Sequence, residues 1–275
     1  MIVGPHLSIA RGLHEAIRVA ASIQADTFQF FTRNPRGGKA RALDYEDIAR
    51  GRTLMKQEGI GPLVAHAPYT LNLASDKAGV RDFARLMMMD DLFRLSQMPC
   101  GIYNIHPGSH VGAGVDEGIK RITGALNEIL SGKEGIVILL ETMAGQGTEI
   151  GGSFEEIQRI IEGVRHAHLL GVCLDTCHVF SAGYDLVGDL DGVIDTFDRV
   201  IGLDRLRVIH LNDSKMPFDS GRDRHEKIGK GTLGLEVFKK IVTHPKLKDL
   251  PFILETPNEV AGYGEEIQLI RSFAK

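Results

Sequence analysis

Cysteine is scarce: the 275-residue chain has three, at 100, 173 and 177. So few, and an odd number, exclude a disulfide framework and point to a reducing compartment, the cytoplasm. Long hydrophobic runs are missing as well. No stretch approaches the roughly 18 apolar residues that a membrane span needs, so no membrane partner is expected. The opening MIVGPHLS has neither a basic region nor a long apolar core and predicts no signal peptide. There is no linker, low-complexity tract or break in composition. Positive charge is in slight deficit, with 32 Lys and Arg against 36 Asp and Glu for a formal net charge of −4. Taken alone, that balance argues against a nucleic-acid partner.

What is present is a 43% hydrophobic composition, ample for a large core, and a regular alternation. Eight short β-rich runs occur: IVGPH (2–6), TFQFF (27–31), PLVAH (62–66), GIYNIH (101–106), IVILLE (136–141), GVCLD (171–175), RVIHL (207–211) and FILE (252–255). Amphipathic segments of helical period separate them, at 13–23, 45–57, 82–98, 118–130, 153–164, 192–202 and 233–242, and a last one follows at 265–274. Ser153 followed by Glu156 has the form of a capping box and marks a helix start. Eight strand–helix units predict one α/β domain over 1–275, a closed (β/α)8 TIM barrel. An open doubly wound sheet would alternate in the same way, but no G-x-G-x-x-G follows the first run.

Six consecutive strands end in a metal-capable side chain: His66, His106, Glu141, Asp175, His210 and Glu255. In a barrel those ends lie on the face where active sites are built. Residues two apart share a side of a strand, so Val64, Asn104, Leu139, Val208 and Ile253 are expected to fill the layer below the ligands. One histidine at a strand end is ordinarily a hydrogen-bonded rim residue. Six ionisable groups on one mouth would repel and desolvate one another unless a cation compensates them. Nitrogen and carboxylate donors suit zinc or manganese in an open site. His178, Asp223 and His225, expected in loops, offer three ligands for one further metal. The stretch GVCLDTCH raises the alternative of a thiolate site, but no second thiol pair of zinc-ribbon spacing exists, and Cys173 and Cys177 read as small packing residues.

The segments FTRNPR (31–36), HAPYTLNLAS (66–75), HPGSHVG (106–112), ETMAGQGTEIGG (141–152), GVCLDTCHVFSAGYDL (171–186), HLNDSK (210–215), DRHEKIGKGTLG (223–234) and LETP (254–257) resemble endonuclease IV, the zinc-dependent apurinic/apyrimidinic endonucleases of base-excision repair. The resemblance implies a TIM barrel with three zinc ions at its mouth, with manganese as the alternative at one site. By motif, His66 and His106 would hold one zinc and Glu141 would bridge it to a second, completed by Asp175, His210 and Glu255. His178, Asp223 and His225 would hold the third. The implied reaction cleaves the phosphodiester bond 5′ to an abasic site, leaving a 3′-hydroxyl and a 5′-deoxyribose phosphate, with 3′-end trimming beside it. Glu141 and Glu255 are the implied catalytic carboxylates, the first joining two metals and the second orienting the nucleophile. The implied partner is double-stranded DNA with abasic sites or blocked 3′ ends, handled by a monomer.

Three divalent ions would add six charges and take the formal −4 to about +2, which weakens the charge objection. Basic residues also gather after the second strand (Arg33, Arg36, Lys39, Arg41) and after the seventh (Lys215, Arg222, Arg224, Lys227, Lys230). Beside a metal mouth they make a DNA track, with Arg36, Lys215 and Arg224 as the expected contacts. Tyr69 and Thr70 stand where the family typically carries a Tyr-Leu pair that probes the lesion. A sugar isomerase or epimerase of similar barrel is the competing reading, and the trio His178, Asp223 and His225 tells against it. A binding protein without turnover would be favoured by a missing ligand, and none is missing.

Overall fold

The computed structural model describes residues 1–133 and 135–274. Eight parallel strands form one sheet: β1 (Ile2–Pro5), β2 (Gln29–Phe31), β3 (Val64–His66), β4 (Ile102–Ile105), β5 (Val137–Glu141), β6 (Leu170–Asp175), β7 (Leu206–His210) and β8 (Pro251–Leu254). Their order is sequential, with β8 pairing β1, and a single bridge between His6 and Gln29 closes the ring between β1 and β2. The backbones meet closely at that seam. A Cβ on Gly4 would stand 1.7 Å from the carbonyl oxygen of Thr27, so only glycine fits there. The (β/α)8 barrel predicted from the alternation is the observed fold.

Helices α1 (Leu13–Ser22), α2 (Tyr45–Glu58), α3 (Ala78–Gln97), α4 (Val115–Ile129), α5 (Phe154–Gly163), α6 (Leu190–Val200), α7 (Leu235–Thr243) and α8 (Val260–Ser272) follow the strands in turn. Most lay an apolar stripe on the outside of the sheet, while α2 buries only Asp47, Ile48 and Gly51. In α1 it is Leu13, Ala16, Ile17 and Ala20, at i, i+3, i+4 and i+7, and in α5 Phe154, Ile157, Ile160 and Ile161, at i, i+3, i+6 and i+7, each set on one helix face. The start expected at Ser153 is real. Its Oγ accepts the Glu156 N–H at 3.3 Å, while Glu156 Oε2 reaches back past it to the N–H groups of Gly151 and Gly152 at 2.6 and 3.2 Å. Among the described residues, no helix is long and apolar enough to cross a membrane.

The barrel interior holds a separate small core of Val64, Leu139, Cys173, Val208 and Ile253, all without exposure, with Ile102 and Val137 beneath it. Four of these are the layer expected below the ligands. Asn104 is not among them. Parallel pairing sets it beside His66, one level higher, so Ile102 takes the lower place and His106 falls beyond the end of β4. A register shift at Val172/Cys173 then brings Asp175 level with His210 on β7.

Candidate metal centre

All nine sequence-predicted ligands converge on the C-terminal mouth. Their donor atoms fall into three groups, each with every atom within 4.8 Å of the others: His66, His106 and Glu141; Glu141, Asp175, His210 and Glu255; and His178, Asp223 and His225. Strand ends supply four of them, and His106 and Glu255 stand one residue beyond the ends of β4 and β8. His178, expected in a loop, stands on a short helix, Thr176–Ser181, whose N-cap is Asp175, with Asp175 Oδ1 accepting the His178 N–H at 2.9 Å. His225 lies in a two-residue strand, His225–Glu226, paired with Asp213–Ser214. That ladder folds the segment after β7 back over the mouth.

Glu141 has no exposed surface and faces both ways. Its Oε2 accepts from Asn104 Nδ2 at 2.6 Å and lies 3.3 Å from His66 Nε2 and 3.5 Å from His106 Nε2. Its Oε1 lies 3.4 Å from His210 Nδ1 and 3.2 Å from His178 Nδ1.

The histidines show where their lone pairs point. His66 Nδ1 donates to the Ala67 carbonyl at 2.6 Å, His178 Nδ1 to the Thr142 carbonyl at 2.9 Å, and His225 Nδ1 to the Glu255 carbonyl at 3.3 Å. His210 Nε2 donates to Gln29 Oε1 at 2.8 Å. Each ring spends its proton outward and turns its other nitrogen to the centre, the arrangement of a metal-ligating imidazole. There, His178 Nε2 and His225 Nε2 each stand 3.2 Å from Asp223 Oδ1, and His210 Nδ1 stands 3.2 Å from Glu255 Oε2. His178 Nε2, His210 Nδ1, His225 Nε2 and Glu141 Oε1 are buried without a hydrogen bond. Lone pairs gathered at such distances need a cation between them. The donor set, imidazole nitrogen and carboxylate oxygen, fits zinc.

The electrostatics agree. Burial would raise Glu141 and Glu255, but the histidines beside them, His210 above all, hold both well below the usual carboxylate range. Burial opposes charge on His178 too, yet the carboxylates of Asp175, Asp223 and Glu141 hold it well above its ordinary value, so this end of the centre draws positive charge, which a metal ion would supply in place of a second ring proton. His106 is pushed down to about 4, chiefly by burial, which keeps its imidazole neutral at physiological pH.

The cysteines behave as packing residues. Cys173 belongs to the barrel core, and all three thiols are buried and free. Cys177 Sγ lies within 4.8 Å of donor atoms of Asp175 and His225. Burial pushes that thiol up to about 12, so it is protonated at neutral pH and a poor ligand.

Around the mouth, Tyr69 is 59% exposed, its ring 5.1 Å from Phe31 and 5.9 Å from His106. Thr70 beside it is exposed, and the Tyr69 N–H donates to the Pro35 carbonyl at 3.0 Å, placing Arg36 next to the pair. Arg36, Lys215 and Arg224 are exposed; Lys215 lies 3.8 Å from Glu226. Arg33 does not join the DNA track expected of its cluster. Its guanidinium is buried, bonded to Asp91 and to Asp90 at 2.7 Å. It anchors the loop, with Nη1 donating to the Gly38 carbonyl at 2.7 Å.

Sequence reasoning missed the amides that hold the ligands: Gln29, Asn104, and Asn212, whose Nδ2 donates to Asp175 Oδ2 at 2.7 Å. It missed His6 as well, at the end of β1. For Gln29 and Asn104 the available signal was a lone amide inside an apolar run, TFQFF and GIYNIH.

A family model described as xylose isomerase-like TIM barrel matches residues 17–273. The probable endonuclease 4 of Akkermansia muciniphila is 54% identical over 98% of this chain and 97% of that protein. That of Alkaliphilus oremlandii is 52% identical over 98% and 96%. The crystal structure of endonuclease IV from Thermus thermophilus matches with a TM-score of 0.89 at 33% identity, covering 100% of this chain and 99% of that one. A D-tagatose 3-epimerase-like protein, at 20% identity and a TM-score of 0.74 over 100% and 97% of the two chains, shares the fold.

Proposed function

The chain belongs to the endonuclease IV family of xylose isomerase-like TIM barrels, and from that premise we propose that it incises DNA 5′ to abasic sites with three bound zinc ions. The products are a 3′-hydroxyl and a 5′-deoxyribose phosphate. Membership makes it a hydrolase of the nuclease class. Trimming of blocked 3′ ends, action as a monomer and a cytoplasmic location belong to the same proposal.

One observation carries it. Glu141 stands in two donor groups at once, and a third group, His178, Asp223 and His225, lies beside them. A sugar epimerase has no use for that third trio. Zinc bound in the three groups would supply Lewis acidity to the phosphodiester and its leaving oxygen. The protein's own residues do the rest. Glu141 fixes the first two groups at one separation. Glu255 turns Oε2 into the centre beside His210, where it orients the attacking water by accepting its hydrogen bond. Tyr69 offers an aromatic face to the gap left by the lesion. Arg36, Lys215 and Arg224 meet phosphates on either side of the mouth.

The test is a duplex with one tetrahydrofuran abasic analogue, incubated with zinc-loaded protein and mapped at nucleotide resolution. A nick immediately 5′ to the analogue, with an end that a polymerase extends, is the expected result. An uncut duplex together with epimerisation of a ketose would replace this reading with the sugar-enzyme one.

A further inference from the structure

We infer that Gln29, backed by His6, is a positioning residue that sets the second donor group by fixing the tautomer of His210 and the rotamer of Glu255 together. The inference rests on the metal-dependent reading above and adds to it two residues outside the nine ligands.

Gln29 is fully buried on β2, inside an otherwise apolar run, where an unpaired amide would be strongly disfavoured. Both ends of its amide are used. Oε1 accepts from His210 Nε2 at 2.8 Å, and Nε2 donates to Glu255 Oε1 at 2.6 Å. Only one orientation of the amide satisfies both contacts, because the carbonyl cannot face the carboxylate. The proton of His210 therefore sits on Nε2, and its lone pair on Nδ1 faces Glu255 Oε2, Glu141 Oε1 and Asp175 Oδ2 at 3.2, 3.4 and 3.7 Å. The same bond leaves Glu255 Oε2 turned inward.

His6 completes the clamp from β1. Its Nδ1 lies 3.0 Å from Gln29 Nε2 and 3.2 Å from Glu255 Oε1, and its ring packs on Phe31 at 4.3 Å between centroids. The backbones of His6 and Gln29 form the bridge that closes the barrel. One small cluster thus ties the closing seam to ligands on β7 and just after β8.

The test titrates cobalt(II) alone into metal-free protein and reads its absorption bands, beside kcat and KM for incision. The variants are Gln29→Glu, Gln29→Met, His6→Leu and His6→Asn. Glutamate keeps the shape of glutamine but sets a carboxylate against Glu255. Gln29→Glu and Gln29→Met should each weaken one of the cobalt sites by at least about tenfold and leave the others at wild-type affinity. They should lower kcat with KM for DNA little changed. His6→Leu should weaken the same site, and His6→Asn should restore it, since an asparagine amide can either donate to Glu255 or accept from Gln29. A merely structural role would move every site and the melting temperature together, and that result overturns the inference. So does wild-type binding by both Gln29 variants. If those two do not fold, the His6 pair decides: equal affinity in His6→Leu and His6→Asn overturns it. A wild-type protein that leaves abasic DNA uncut breaks the nuclease reading, while a selective effect of Gln29 on one cobalt site would still stand.

Discussion

Glu141 answers to a different histidine group with each oxygen, so its charge matters more than its shape. Glu141→Gln should cut steady-state incision by more than about tenfold, a barrier increase above ~1.4 kcal/mol, while a gel-shift assay finds binding to abasic duplex largely retained. A smaller loss would mean that Glu141 does not join two metals. Thr70 is exposed beside Tyr69 at the mouth. Unstacking a duplex costs a few kcal/mol, and threonine brings less apolar volume than leucine and a hydroxyl that resists burial. Thr70→Leu should therefore improve incision at an abasic site in duplex DNA and leave trimming of frayed 3′ ends nearly unchanged. Equal effects on both activities, compared in one preparation, would mean that Thr70 does not enter the gap at the lesion. Six of the nine donors were legible in the sequence because six apolar runs in a row close on an ionisable group, and charges so gathered call for a cation; His178, Asp223 and His225 were legible only through the motifs that follow the sixth and seventh runs. Gln29 and Asn104 were not legible. A single amide carries no charge to account for, and its worth depends on which strands lie across the barrel.

The loop between β2 and α2 shows how an element is held. Thr32 Oγ1 at 2.9 Å, Tyr103 Oη at 2.7 Å and the Arg33 guanidinium all donate to Asp91, which has no exposure. Asp91→Leu would take the buried carboxylate from Arg33, leaving it Asp90 and the Gly38 carbonyl, and would remove the acceptor of Thr32 and Tyr103, a loss of about 3–5 kcal/mol that should show as a lower urea midpoint with an unchanged slope. A shift within about 0.5 kcal/mol would mean that Arg33 swings out to solvent and that the loop does not depend on it. Composition could not separate Arg33 from Arg36, because burial depends on the facing helix α3. The helix boundaries differ from expectation for equally local reasons. The final helix begins at Val260, five residues before the expected 265, across Gly262 and Gly264, whose weak helix propensity masks the start. The helix bearing His178 has six residues, too few to show a period.

At the scale of the whole molecule, eight alternations were enough to read the barrel, since that is the number at which such a ring closes. The seam was not legible, because β1 and β2 meet through one bridge that no local pattern marks. Nor was the shear that lifts Asn104 to the ligand level. The three donor groups follow from that shared geometry, and everything proposed about the chemistry depends on their number. The metal content of purified, active protein, determined per chain by elemental analysis, tests that number without an intermediary. Close to three divalent ions, mainly zinc, are expected. Full incision activity with one metal per chain would contradict a three-metal centre.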